Sequence, residues 1–151
     1  MGKGKISRSE EREFAFKMLY ASEFNLDSIG IQIGRLDAAS QEKATSYVKS
    51  IIKIYSELKE EFDGYIIEKL ENWDLKRVAI IDKVILRLAL AEIFHLEDIP
   101  PEVSINEAIE LAKKYSTAGS GKFINGILDA IYRTYKQKKR PENNKEGIST
   151  D

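Results

Sequence analysis

Residues 98–131, DIPPEVSINEAIELAKKYSTAGSGKFINGILDAI, read as a turn, a helix, a loop and a second helix. Pro100 and Pro101 end whatever precedes them, because proline lacks a backbone N–H and disfavours helical geometry in the residue before it. Ser104-Ile105-Asn106-Glu107 then has the form of a capping box, in which a serine hydroxyl and a glutamate carboxylate satisfy each other's backbone amides. A helix starting at Ile105 is expected, with Ile105, Ala108, Ile109 and Ala112 on its buried face and Glu107, Glu110, Lys113 and Lys114 on its wet one. After the small-residue loop 116–121, Phe123, Ile124, Ile127, Leu128 and Ile131 resume the helical stripe. Asn125 and Gly126 interrupt it. Asn wants hydrogen-bond partners and Gly in a helix costs about 1 kcal/mol relative to Ala, so a buried polar bond from Asn125 and a close helix crossing at Gly126 are expected.

Working back from this pair, residues 77–96 carry apolar side chains on every face: Val78, Ile80, Ile81, Val84, Ile85, Leu86, Leu88, Leu90, Ile93 and Phe94. A helix that is apolar all round is a buried one, so 80–96 is taken as the central helix. Arg87 and Glu92 lie inside it and need partners if buried. Ser7 with Glu10 forms another capping box, predicting a first helix over 8–24. Its two apolar stripes, Ala15-Met18-Leu19-Ser22 and Phe16-Tyr20-Phe24, imply two packing neighbours. Residues 25–40, with Gly30 and Gly34, fit either a short helix or an irregular connection. From Gln41 the helical period returns through Tyr47, Val48, Ile51, Ile52 and Tyr55, then Phe62, Ile66, Ile67 and Leu70, as one long kinked helix or two in succession. Trp73 is expected to plug the core at a helix end. No segment alternates as a strand does, and the class is all-α.

The chain has 151 residues, 42% hydrophobic and 32% charged, which suits one globular domain with a real core. The organisation expected is a basic flexible arm at 1–7, a folded domain at 8–135 and a disordered tail at 136–151. A formal charge of -1 gives no global argument for a polyanion partner, so any nucleic-acid surface must be a local patch. With no cysteine there is no disulfide framework or thiolate metal site, and no apolar run approaches the roughly 20 residues that cross a bilayer. A cytoplasmic protein without membrane contact is the expectation.

Catalytic machinery is not visible. His95 is the single histidine and is read as a helix-end residue; no metal and no cofactor are expected. Ala118-Gly119-Ser120-Gly121-Lys122 looks briefly like a phosphate-binding loop, but Ser116 stands where its first glycine belongs, Phe123 follows the lysine, and a helix precedes the loop. A glycine-rich loop feeding a helix with a lysine still suits one phosphate of an RNA strand, or it is a plain interhelical connection. Basic residues cluster at Lys3, Lys5, Arg8 and Arg12, at Lys113, Lys114 and Lys122, and at Lys136, Lys138, Lys139 and Arg140.

The residues at 105–113, Ile-Asn-Glu-Ala-Ile-Glu-Leu-Ala-Lys, and at 120–129, Ser-x-Lys-Phe-x-Asn-Gly-x-Leu-Asp, resemble the hallmark of the NusB family of transcription antitermination factors. Ile85-Leu86-Arg87-Leu88-Ala89 with Glu92, Ile99-Pro100, Val103, and the run from Arg12 to Leu19-Tyr20 are similar as well, so the resemblance spans about 8–135. It implies two small helical bundles packed together, with the central helix and the hallmark pair forming the second. It also implies a non-enzymatic role in ribosomal RNA operons: binding boxA-like single-stranded RNA together with NusE, a ribosomal protein, and joining the RNA polymerase elongation complex. The RNA-binding residues implied are Lys5, Arg8, Arg12, Ser120, Lys122 and Phe123, with Phe123 or Tyr20 offering an aromatic surface. Tyr20 and Asp82 are the implied partner-binding positions. NusB proteins often carry a dense N-terminal arginine run, whereas here Ser9, Glu10, Glu11 and Glu13 surround Arg8 and Arg12, which implies weaker intrinsic RNA affinity. The alternative functions are a helical protein-interaction scaffold without RNA binding, or a detached RNA-targeting module of the kind fused to ribosomal RNA methyltransferases.

Overall fold

A computed structural model describes residues 6–25, 29–71 and 74–136. Lys5, Trp73, most of the expected arm at 1–7 and most of the expected tail at 136–151 lie outside the described residues. Among the described residues every regular element is helical: α1 (Arg8–Ser22), α2 (Ile29–Gly34), α3 (Ala38–Gln41), α4 (Ser46–Lys69), a 3-10 turn (Leu75–Arg77), α5 (Ile80–His95), α6 (Pro101–Tyr115) and α7 (Ser120–Tyr135). Among them no helix is long and apolar enough to cross a membrane.

Helix α5 organises the rest. It touches α1 and α4 on one side and α6 and α7 on the other, so it belongs to both helical groups and their apolar side chains merge into one core. Leu86, Leu88, Leu90 and Ile93 are almost wholly enclosed, each worth about 1.5–3 kcal/mol of burial. Arg87 and Glu92 are buried among them and both have partners. Arg87 makes a two-pronged bond to Asp63 on α4 (2.6 and 3.0 Å) and also reaches the Tyr55 hydroxyl (3.2 Å) and Glu23 (3.4 Å). His95 ends α5, its ring 6.1 Å from that of Phe62.

The Ser7–Glu10 capping box is formed, and α1 starts at Arg8. Its first stripe, at Ala15 and Leu19, enters the core. The second climbs outward, from buried Phe16 through half-buried Tyr20 (6.1 Å between ring centres) to Phe24, which is 63% exposed. The undecided stretch 25–40 contains α2 and most of α3. The long helix opens at Ser46 behind the Thr45 cap instead of at Gln41, and runs unbroken to Lys69. Its 24 residues span roughly 36 Å.

Three expectations in the hallmark segment are corrected. Helix α6 begins at Pro101, not Ile105, because proline's fixed φ and missing N–H suit the first helical position. Ser104 is therefore inside the helix, and its hydroxyl is donated to Glu92 (2.7 Å), not to a cap. Asn125 is exposed and makes no buried polar bond. Gly126 is no close crossing either: a Cβ placed there meets nothing within 4 Å. Helices α6 and α7 meet at Gly121, where a Cβ would stand 3.5 Å from Ile109, an ordinary van der Waals contact.

Candidate nucleic-acid interface

The N-terminal residue of α7 is held from another helix. Gly119, at the cap position, has no side chain to offer the first turn. Asp82, in the first turn of α5, instead holds side chains at the helix start from across the groove: its Oδ2 accepts the Ser120 hydroxyl (2.9 Å) and its Oδ1 accepts the Ser116 hydroxyl (2.7 Å). The Ser120 hydroxyl also lies 2.8 Å from that of Ser116 and 2.9 Å from that of Thr117. A single carboxylate thus grips the residue that closes α6 and the residue that opens α7.

Beside this cluster lies an open groove of about 500 Å³, floored by Asp82 and Ser120 and walled by Arg77, Val78, Ala79, Thr117, Gly119 and Phe123. Lys122 is exposed and Phe123 half-buried, so the start of α7 presents a cation, an aromatic ring and the positive end of the helix dipole together. Ser120 and Asp82, expected as RNA and partner contacts, are buried at 5% and 7% exposure and turned toward each other. Of the implied site residues, the structure brings Asp82, Ser120 and Phe123 to one groove. Tyr20 is elsewhere, in the aromatic ladder of α1. Arg77 and Thr117 were missed by sequence reasoning. Arg77 is visible only as a cation before the apolar run of α5, and Thr117 only as a hydroxyl in the loop.

The arginines of α1 fare differently. Arg12, expected to bind RNA, is 3% exposed and committed to the interior, which removes it from the candidate set. Its guanidinium donates to both oxygens of Glu92 (2.6 and 3.2 Å) and pairs with Glu107 at 3.2 Å. Glu92 also accepts from the Tyr47 hydroxyl and from Ser104, so α1, α4, α5 and α6 meet on one carboxylate. Burial works against the Arg12 charge, but the bond and charge of Glu92 outweigh it and hold the guanidinium above its ordinary pKa. Arg8 remains at the surface, 4.3 Å over the Tyr47 ring and bonded to Glu11 at 2.9 Å.

Helices α1 and α6 meet through polar contacts: Lys114 reaches Glu13 (2.7 Å), Arg12 pairs with Glu107 (3.2 Å) and Ser9 donates to Glu107 (3.0 Å), while Lys113 pairs within α6 with Glu110 (3.4 Å). Bonds from Lys114 and then from the Tyr115 hydroxyl hold the Glu13 carboxyl below the usual carboxylate range. Acidic residues of α1 and α6 thus answer the lysines at the end of α6. Lys122 is an exposed cation beside the groove, and exposed Arg77 lines it. Among the described residues no group of three or more histidine, aspartate and glutamate side chains is arranged to hold a metal ion.

Known proteins place this architecture. A relative described as transcription antitermination protein NusB from Chloroherpeton thalassium is 45% identical over 136 residues, which is 88% of this chain and 64% of that protein. A protein of the same description from Methylacidiphilum infernorum is 41% identical over 135 residues, 85% of this chain and 92% of the relative. Among solved structures, T. maritima NusB superposes with a TM-score of 0.78 at 36% identity, covering 95% of this chain and 99% of its own. A NusB in a complex of antitermination factors NusB and NusE with dsRNA superposes with a TM-score of 0.68 at 27% identity, covering 85% and 97%. The family model described as the NusB family matches residues 9–133, from the first turn of α1 almost to the end of α7, and the chain belongs to the NusB family.

Proposed function

We propose that this chain is a non-catalytic, cytoplasmic transcription antitermination factor that binds boxA-like single-stranded RNA together with the ribosomal protein NusE and joins an RNA polymerase elongation complex on ribosomal RNA operons. The observation that carries the reading is the family match through 9–133. The groove at the start of α7 supplies the chemistry. Lys122 and the helix terminus favour a phosphate, and Phe123 offers a ring to an unstacked base. In this reading 8–135 is the folded domain, while the arm at 1–7, with Lys3 and Lys5, and the tail at 136–151 add cations at its margins. Because the protein carries few uncommitted cations beside the groove, recognition is additive: the RNA surface becomes sufficient once the partner's own surface adjoins it.

A second reading has a specific observation in its favour. Arg12 is buried, Arg8 is held by Glu11 and Tyr47, and Lys113 and Lys114 face carboxylates. That arrangement fits a protein-interaction scaffold, or a detached RNA-targeting module, without RNA affinity of its own. Fluorescence-anisotropy titration of boxA-like RNA, with the protein alone and with NusE, across salt concentrations, separates the two. The antitermination reading expects NusE to tighten binding, with log affinity falling by about 0.7 per phosphate contact for each tenfold rise in salt. Lys122→Glu and Arg8→Glu should each weaken it. Absence of RNA binding in both titrations, while the two proteins still associate, would leave the scaffold.

A further inference from the structure

Asp82 is buried, both its oxygens are occupied by hydroxyl donors, and those donors sit at the two ends of one loop. Ser116 is the residue at which α6 stops; Ser120 is the first of α7. Gly119 gives α7 no side-chain cap, and Thr117 bonds back to Ser120. The path of the chain between the hallmark helices, and the direction in which α7 sets out, are therefore fixed by a carboxylate on α5. Lys122 and Phe123 follow within the first turn. The groove is lined by Asp82, Thr117, Ser120 and Phe123 together, so holding the loop also holds the groove's shape.

We infer that Asp82 is a positioning residue for RNA: through Ser116 and Ser120 it sets the start of α7 so that Lys122 and Phe123 meet the strand. The inference rests on the RNA-binding reading above. A carboxylate suits the role because two fixed acceptor oxygens bind two hydroxyls at once, and a bond to a charged acceptor is stronger than one between neutral groups. Preorganising a contact surface raises affinity by lowering the ordering cost of binding.

The test uses the full chain carrying Ser116→Ala and Ser120→Ala, with Ser120→Thr as the variant that keeps a hydroxyl. Boxa-like RNA is titrated by anisotropy at several salt concentrations with and without NusE, NusE affinity is measured separately, and amide hydrogen exchange is followed across 117–123. The double alanine variant is expected to bind RNA about tenfold more weakly, equivalent to one lost hydrogen bond to a charged group. Its salt slope should be unchanged, because no phosphate-binding cation has been removed. NusE affinity should hold, exchange across 117–123 should quicken, and Ser120→Thr should recover most of the RNA affinity. Unchanged exchange would show that Asp82 does not hold the loop, and unchanged RNA affinity with quickened exchange would show that the loop's position does not matter to RNA; either overturns the inference. A loss confined to NusE affinity would make the cluster a partner contact and overturn it too. If the parent protein binds no RNA in any titration, the function proposed above fails and the RNA half of this inference with it, while the exchange data still decide whether Asp82 fixes the loop.

Discussion

Helix α5 carries a buried acid near each end, and the two are solved in opposite ways. Glu92 faces a full positive charge: Arg12 reaches both its oxygens, and Tyr47 and Ser104 complete the shell from α4 and α6. Asp82 faces hydroxyls alone, and a groove opens beside it. The first arrangement ties four helices at a closed junction. The second ties one loop at the edge of a site. An acid paired with a buried cation cannot be removed without stranding the cation, whereas an acid bound by hydroxyls next to water leaves behind groups that water can satisfy.

The sharpest way to break this contrast is Glu92→Ala. It leaves Arg12 charged, 3% exposed and without its main partner, and a loss of about 3–5 kcal/mol is expected in urea unfolding. A loss below about 1 kcal/mol would mean that the junction is held by apolar packing, with the charge pair close to neutral in its net effect.

Alkaline titration sharpens it next. Burial first, and then the neighbouring Glu92 charge, push the Tyr47 hydroxyl well above its ordinary value of 10.0; burial does the same to Tyr55 against the opposing influence of Arg87. A group whose folded pKa is raised contributes stability that is present below the unfolded pKa and is lost as pH rises beyond it. Stability should hold to about pH 10 and then fall by about 1.4 kcal/mol per pH unit for each of the two tyrosines. Urea midpoints measured from pH 8 to 11 check this, and Tyr47→Phe with Tyr55→Phe should flatten the slope. The Asp82 cluster contains no tyrosine, so exchange protection in the loop should survive until the fold itself gives way.

The same double alanine change at Ser116 and Ser120 that tests RNA binding also tests stability. Two hydroxyl bonds to Asp82 are lost, but the groove admits water to the exposed oxygens, so only about 1–2 kcal/mol of unfolding free energy should go. If this change costs as much as Glu92→Ala, the distinction between a junction that holds the fold and a cluster that holds the site collapses.

Much of the frame was legible in the residues. The all-round apolar run gave α5, the Ser7 box gave the start of α1, and Arg87 and Glu92 announced that they needed partners. The partners were not legible, because Asp63, Tyr55, Tyr47, Arg12 and Ser104 come from helices distant in sequence, and each looks ordinary in its own helix. Arg12 was expected at an RNA surface because the family resemblance implied it there, while the turn of the helix points it at Glu92. Ser104 was misread because two start signals competed, and the fixed φ of Pro101 prevailed over a capping box one turn later. Asp82, Ser120, Lys122 and Phe123 were all named from the sequence, but the reach of Asp82 to Ser116 and Ser120 was not, because it depends on how α5 lies against the loop.

Asn125 and Gly126 give the smallest predicted effect and the one with its answer already in the stripe. Buried Ile124, Ile127, Leu128 and Ile131 define the inner face of α7, and positions 125 and 126 fall on the outer one, where both are exposed. A Cβ at Gly126 would meet nothing within 4 Å, so alanine there loses no contact and restricts the unfolded chain. Gly126→Ala should raise unfolding free energy by about 0.5–1 kcal/mol, read as a higher urea midpoint with an unchanged slope. If stability rises as expected while RNA affinity falls, the fall has to arise from the outer face itself, because folding and the Asp82 grip are intact. The contact surface would then extend from Lys122 along the outside of α7. If both stability and RNA affinity hold or improve, binding stops at the groove, and the outer face of α7 is solvent.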